Sequence, residues 1–319
     1  IFFSIQNFKN SLSNIDITSL SDKEKVTYGM LEFALDSNYD SLVDRGWEFS
    51  AGVAGFEGFL IDYNQQMFIP DKESGDMLLN RLELYEKFYS QISDVQKRGL
   101  ENNRVATQRN LKRSIDQLES YLKTSLDSDP LLLVNFAPTV DKKEISEWKE
   151  KAKKVVEKYV RPNVLSYLEQ LQVEHLPKGR TDENPGIMWI EGGEEVYLRS
   201  LRKYTGHKET TVKEVHEIGL SEIERLKKEF FEIGKDVFDG VNSPEEVLYK
   251  MQTEPSMRYE SKEQMLQLAE DTIERAYKPL AEWFTVFPKA PCKVLPVPAQ
   301  SEKHAPPAYY FPPLPDGSR

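Results

Sequence analysis

Apolar residues recur along this chain at three- and four-residue spacings, the period that gathers side chains on one face of an α-helix. After Asp76 the run Leu79, Leu82, Tyr85, Phe88, Tyr89 and Ile92 obeys it, and Leu111, Ile115, Leu118, Tyr121 and Leu122 repeat it. From about Asp141 a long helix is predicted, with Ile145, Trp148, Ala152, Val155, Val156 and Tyr159 turned inward. Pro162 has no amide to donate, so that helix must kink or end close by. The pattern resumes at Val164, Leu165 and Leu168, again over Gly193 to Thr205, and then through Val215, Ile218, Ile223, Leu226 and Phe230. Met265, Leu268, Ile273 and Tyr277 mark a later helix. Gly46 to Ile69 has no clean period and reads as a packed loop or short helices. Asp127 to Pro138 and Pro177 to Gly186 read as breaks.

Capping signals fix where several of these helices start. Ser21 with Glu24, and Thr211 with Glu214, make capping boxes, in which hydroxyl and carboxylate satisfy otherwise unpaired N-terminal amides. The first of these opens a helix through Val26, Met30, Phe33 and Ala34. Ser243-Pro244-Glu245-Glu246 combines a hydroxyl N-cap, a proline at the first helical position and acidic residues against the helix dipole. Ser261 with Gln264 repeats the device.

Beyond about Phe287 the character changes. Pro288, Pro291, Pro296 and Pro298 exclude helix and call for extended chain. Ala308-Tyr309-Tyr310-Phe311 reads as a strand with Tyr309 and Phe311 on one face and Tyr310 on the other, succeeded by a Pro315-Asp316-Gly317 turn. Such a turn normally returns into a partner strand, so the sequence, whose last residue is Arg319, looks interrupted. The expected fold class is mainly α, a multi-helix array with a short C-terminal β segment that looks truncated. Residues 1–290 are expected to form one incomplete helical domain and 291–319 a Pro-rich extended segment with the first strand of a missing part.

Composition narrows the functional classes. Hydrophobic residues at 39%, with 16 Phe, 15 Tyr and 4 Trp, give a chain of 319 residues enough apolar surface to fold. A formal charge of -11 repels phosphate backbones, and the one basic-looking run, Lys149 to Lys158, has glutamates interleaved, so no nucleic-acid partner is expected. No run approaches the roughly 18 apolar residues of a membrane span, so no transmembrane segment is expected. The single thiol, Cys292, forbids an intrachain disulfide and four-cysteine zinc, and no histidine neighbours it in sequence. The chain starts at Ile1 rather than Met, and Ile1-Phe2-Phe3 could be the stretch just after a removed leader.

Catalytic signatures are sparse. A zinc helix of the His-Glu-x-x-His type places two imidazoles four residues apart on one face, with the glutamate activating the metal's water. His216-Glu217 starts that pattern and fails at Leu220. His175, His207 and His304 have no ligand partners at metal spacing. Gly192-Gly193 lacks the Lys-Ser or Lys-Thr of a phosphate loop and reads as a turn. No catalytic residue and no metal ligand is therefore assigned in this chain, and no cofactor is expected to bind it.

The run from Gly192 to Thr205 nonetheless resembles the bacterial domain-of-unknown-function family DUF885, many of whose members are described as lipoproteins. Thr211 to Ile223, with its His-Glu-x-Gly-Leu core, looks like that family's next helix. The likeness extends through Tyr309-Tyr310-Phe311 and Pro315 to Arg319, and more weakly back to Val160-Arg161-Pro162. It implies a mainly helical protein akin to zinc carboxypeptidases, whose metal segment comes soon after the tyrosine-rich strand and so lies outside this sequence. On that resemblance the chain is the cleft-forming helical portion of a zinc-dependent metallopeptidase-like hydrolase, inactive by itself. Zinc and a peptide substrate are expected only in the complete protein, and the bacterial envelope or periplasm is the implied compartment. Tyr309, Tyr310 and Phe311 are the candidate substrate-binding edge, with Gly192 and Tyr197 opposite. The residues alone fit a non-catalytic helical protein- or peptide-binding module equally well, and they leave oligomeric state open.

Overall fold

The computed structural model describes residues 2–51, 67–287, 291–297 and 308–310. The architecture is mainly α. The chain divides into two compact units, Ile1–Thr210 and Thr211–Arg319, a boundary that the composition break near residue 290 does not mark.

In the first unit, α1 (Phe2–Ser13) packs on α2 (Asp22–Asp44). The α2 start is set as expected, with Glu24 accepting hydrogen bonds from the amide and hydroxyl of Ser21. Next come α3 (Lys72–Glu83), α4 (Tyr85–Glu101) and α5 (Gln108–Lys123). Their first-turn amides are served by Asp71 for α3 and Thr107 for α5. The stripe read from the sequence after Asp76 is thus shared by two helices that meet at Leu84. Two short strands, β1 (Phe68–Ile69) and β2 (Asn135–Phe136), pair in parallel, with Phe68 opposite Asn135.

The predicted long helix is α6 (Lys142–Val155), a π-helical turn at Val156–Val160, and α7 (Arg161–Gln170), continued by a second π-helical turn at Leu171–His175. Here the sequence demanded a kink or an end at Pro162 and the chain supplies a widened turn instead. A wider turn accommodates the proline, which has no amide to offer and would crowd the preceding carbonyl. α6 packs on α3, where the Trp148 indole donates to the Gly75 carbonyl at 2.8 Å. α7 packs on α4 and α5. The core of the unit lies among these helices and includes Leu82, Leu118, Leu131, Val156, Val164 and Tyr167. Last in the unit is α8 (Gly193–Thr205), which packs on α2.

The second unit begins with α9 (Val212–Val237), opened by the complete Thr211–Glu214 capping box. α10 (Pro244–Thr253) comes next, with Ser243 Oγ accepting the Glu246 amide at 3.2 Å. α11 (Lys262–Tyr277) and α12 (Leu280–Trp283) complete the helices described there. α9 and α10 meet at Gly234 and Val247, around a small core of Phe238, Val241 and Val247. Residues 291–297 form neither helix nor strand, in keeping with their prolines.

One expectation is corrected. Ala308, Tyr309 and Tyr310 are not in a strand, while Phe311 and the Pro315–Gly317 turn lie outside the described residues. Aromatic residues favour strands only where a neighbouring strand takes up their backbone groups and side chains. No strand pairs with Ala308–Tyr310 among the described residues.

Candidate functional site

The motif that carries the family resemblance starts at a turn whose shape only glycine permits. Gly192 sits at φ 67°, in the left-handed region, and forms the N-cap of α8. A Cβ on Gly193 would lie 2.0 Å from the Ile187 carbonyl oxygen, inside its van der Waals envelope. Both glycines are therefore explained by backbone geometry, as the reading of a turn predicted.

Behind this turn Arg104 is only 4% exposed, and its guanidinium is engaged on every side. Nε donates to Glu48 Oε2 at 2.7 Å, one terminal nitrogen donates to the Glu191 carbonyl, and the other donates to the Asp44 carbonyl. The same group lies over the Phe49 ring at 5.2 Å. Arg45 reaches the second Glu48 carboxylate oxygen at 3.0 Å, and Arg199 of α8 grips the Asp44 carboxylate. Burial pushes the Asp44 carboxyl above its ordinary range, with Arg199 pulling against it. Gly99 lets the end of α4 come close, since a Cβ there would stand 2.4 Å from the Glu48 carbonyl oxygen. One arginine thus ties the end of α2, the end of α4 and the start of α8 together. Burying such charges is costly, and the cost is offset because each nitrogen of the guanidinium has an acceptor.

The outer side of the motif is of opposite character. Tyr197 and Tyr204, seven residues apart and so on one face of α8, stand in solvent, as do Met188 and Trp189 just before the turn. The result is a fixed backing with an aromatic front.

A second buried charge is structural in the same sense. Asp129 is fully buried, accepts from the Tyr121 hydroxyl at 3.1 Å and the Leu131 amide at 3.0 Å, and pairs with Arg161 at 2.8 Å. Burial, reinforced by that carboxylate, drives the Tyr121 hydroxyl upward. His175 is buried, with Nδ1 3.3 Å from the Gln170 carbonyl, and desolvation holds its imidazole below the usual range. His216 and Glu217 are exposed on α9, where Glu217 faces Lys213 at 3.7 Å. His304 lies outside the described residues. In the second unit, Cys292 to Leu295 and the α11 residues Glu270, Ile273, Glu274 and Tyr277 line an open cleft of about 480 Å³. There the Cys292 amide donates to the Tyr277 hydroxyl at 3.1 Å.

Of the residues singled out from sequence, Gly192 and Tyr197 fall on one anchored element. Tyr309 and Tyr310 are exposed residues of the second unit, and Phe311 is outside the described residues. Arg104 and Glu48, which fix the motif from behind, were not predicted. The only hint was a charged pair in stretches that lack helical period, and that pattern is far too common to single them out.

The sequence matches the family described as "Bacterial protein of unknown function (DUF885)" over residues 4–319. The chain belongs to that family. No curated protein matches it. Among solved structures it is similar to one titled "The crystal structure of the putative lipoprotein from Colwellia psychrerythraea", with a TM-score of 0.79 at 20% identity. The similarity covers 100% of this chain and 57% of that one, so this chain spans little more than half the length of its structural neighbour. At that identity the likeness is one of fold.

Proposed function

We propose that this DUF885 chain is the helical, cleft-forming portion of a zinc-dependent, carboxypeptidase-like hydrolase that needs further polypeptide to hold its metal. The observation that carries the reading is the buried Arg104 clamp, which fixes the Glu191–Gly192 turn while Tyr197 of the adjoining helix stays in solvent. Binding walls need side chains held by packing and hydrogen bonds from behind, so that binding energy is not lost to ordering them. Aromatic rings supply contact area for a peptide at low entropic cost. In this reading Gly192 sets the angle of the wall and Tyr197 touches the substrate. Zinc would supply activated water for amide hydrolysis.

The test uses the full product of the gene that contains this sequence. It is expected to hold one zinc per chain and to cleave peptides in a chelator-sensitive way. Tyr197→Ala should raise KM several-fold with kcat and zinc content unchanged. A full-length protein that binds peptides without zinc and without turnover would overturn the hydrolase in favour of a binding module.

A further inference from the structure

Polar side chains are buried between α4 and α7, where a helical core would ordinarily be apolar. Gln96 of α4 accepts from the Tyr167 hydroxyl at 2.9 Å and donates to the Ser50 carbonyl at 3.3 Å. Gln170 of α7 donates to the Ser93 carbonyl at 3.4 Å. His175, only 3% exposed, closes the second π-helical turn with Nδ1 3.3 Å from the Gln170 carbonyl. A carbonyl can only accept, so Nδ1 carries the ring hydrogen and the neutral ring leaves Nε2 bare. Nε2 has no hydrogen-bond partner among the described residues, although the Gln96 carbonyl lies beside the ring outside hydrogen-bonding geometry. A second proton would therefore put a positive charge and an unpaired donor in the interior.

We propose that His175 is an acid-sensitive pin, which holds residues 171–178 against α5 while its ring is neutral and releases them when Nε2 takes up a proton. The surrounding charges do not compensate that proton. Glu174, on the same turn, is already paired with Lys97 of α4 at 3.3 Å, and the two pull the imidazole in opposite directions. Glu119 of α5 accepts from Gln172 at 2.9 Å, and Lys178 follows on the next turn. Asp94 and Arg98 of α4, and Asp116 of α5, are exposed. The buried face of α5 offers Leu111, Ser114, Ile115 and Leu118, none of them charged. Desolvation consequently holds the folded ring below its ordinary value of 6.5. The unfolded chain takes up the proton first, so stability is lost as the pH falls below about 6.5. The pin also stands close to the candidate wall's backing, because Gln96 lies three residues before Gly99, whose carbonyl takes the Arg104 amide at 2.7 Å. It does not depend on the hydrolase reading.

Proton NMR and hydrogen exchange on the 319-residue chain decide it. The imidazole resonance missing from His175→Gln identifies the ring, which should titrate at lower pH than the same ring in the urea-unfolded chain. With the intrinsic effect of pH removed, amides 171–178 should lose roughly threefold or more of their protection between about pH 7.5 and about pH 5.5. His175→Gln, which has no ring to protonate, should keep most of its protection over the same range. A ring that titrates at or above its unfolded value, or an equal loss of protection in the variant, would overturn the proposal. If His175→Gln does not fold, sequential assignment of the wild-type ring replaces it, and the direction of the titration shift alone upholds or overturns the pin.

Discussion

The two units are both helical and both start their helices with the same hydroxyl caps, yet their charges are used differently. In Ile1–Thr210 the decisive ion pairs join residues far apart in sequence and are buried, as in Arg104 with Glu48 and Arg161 with Asp129. In Thr211–Arg319 the pairs among the described residues are exposed neighbours three or four residues apart on one helix, such as Arg225 with Glu222 and Glu229, and Lys235 with Glu232. Local pairs of that kind are screened by water, add little stability and say nothing about what the helix packs against. Long-range pairs specify tertiary structure and are costly to break. Burial runs in parallel, with a large core in the first unit and, among the described residues, only Phe238, Val241 and Val247 buried as apolar core in the second. Local sequence therefore accounts for where the second unit's helices start, while the first unit's sequence also specifies how its helices assemble.

That contrast can be broken by substitution. The largest effect is expected from Arg104→Met, which leaves the buried Glu48 with Arg45 alone and strands two carbonyls, and should cost about 3–5 kcal/mol in the first unit, read by denaturant unfolding. Adding Glu48→Leu should recover part of the loss, because the remaining buried charge is then gone. A smaller effect, about 1–3 kcal/mol, is expected in the second unit from Gly234→Ala, whose Cβ would meet Val247 Cγ2 at 2.4 Å. Hydrogen exchange across residues 230–250 would report it, and Val247→Ala in the same chain should relieve the clash. Ser243→Ala should cost least, about 1 kcal/mol, through loss of the α10 cap. If the cap mattered more than Arg104, the division into locally and globally specified units would be wrong.

The same division explains what the sequence revealed. Helix starts at Asp22, Val212, Pro244 and Lys262 were legible because their caps are local and chemical. The glycine turn at 192–193 was legible too. The pairing of β1 with β2 was not, since two-residue strands far apart in sequence leave no period. The clamp on the candidate site was hidden for a related reason: Arg104 meets Glu48 and Glu191 only after the helices assemble. The strand expected at Tyr309 and Tyr310 is not seen, because no strand among the described residues pairs with them.

The π-helical turn at Val156–Val160 has a consequence for the length of the long helix. Trp148, Ala152, Val156, Val160, Val164 and Leu168 are all buried and stand four residues apart. In a regular α-helix each such step overshoots a full turn by about 40°. Over the successive steps from Trp148 to Leu168 the row would wind roughly halfway around the rod and leave the core. The widened turn at Val156–Val160 undoes part of that winding and keeps more of the row turned toward the core. Such a rod is keyed in length. Losing a single residue from the Val156–Val160 turn would swing Val164 and Leu168 by about 100° away from the positions they now fill.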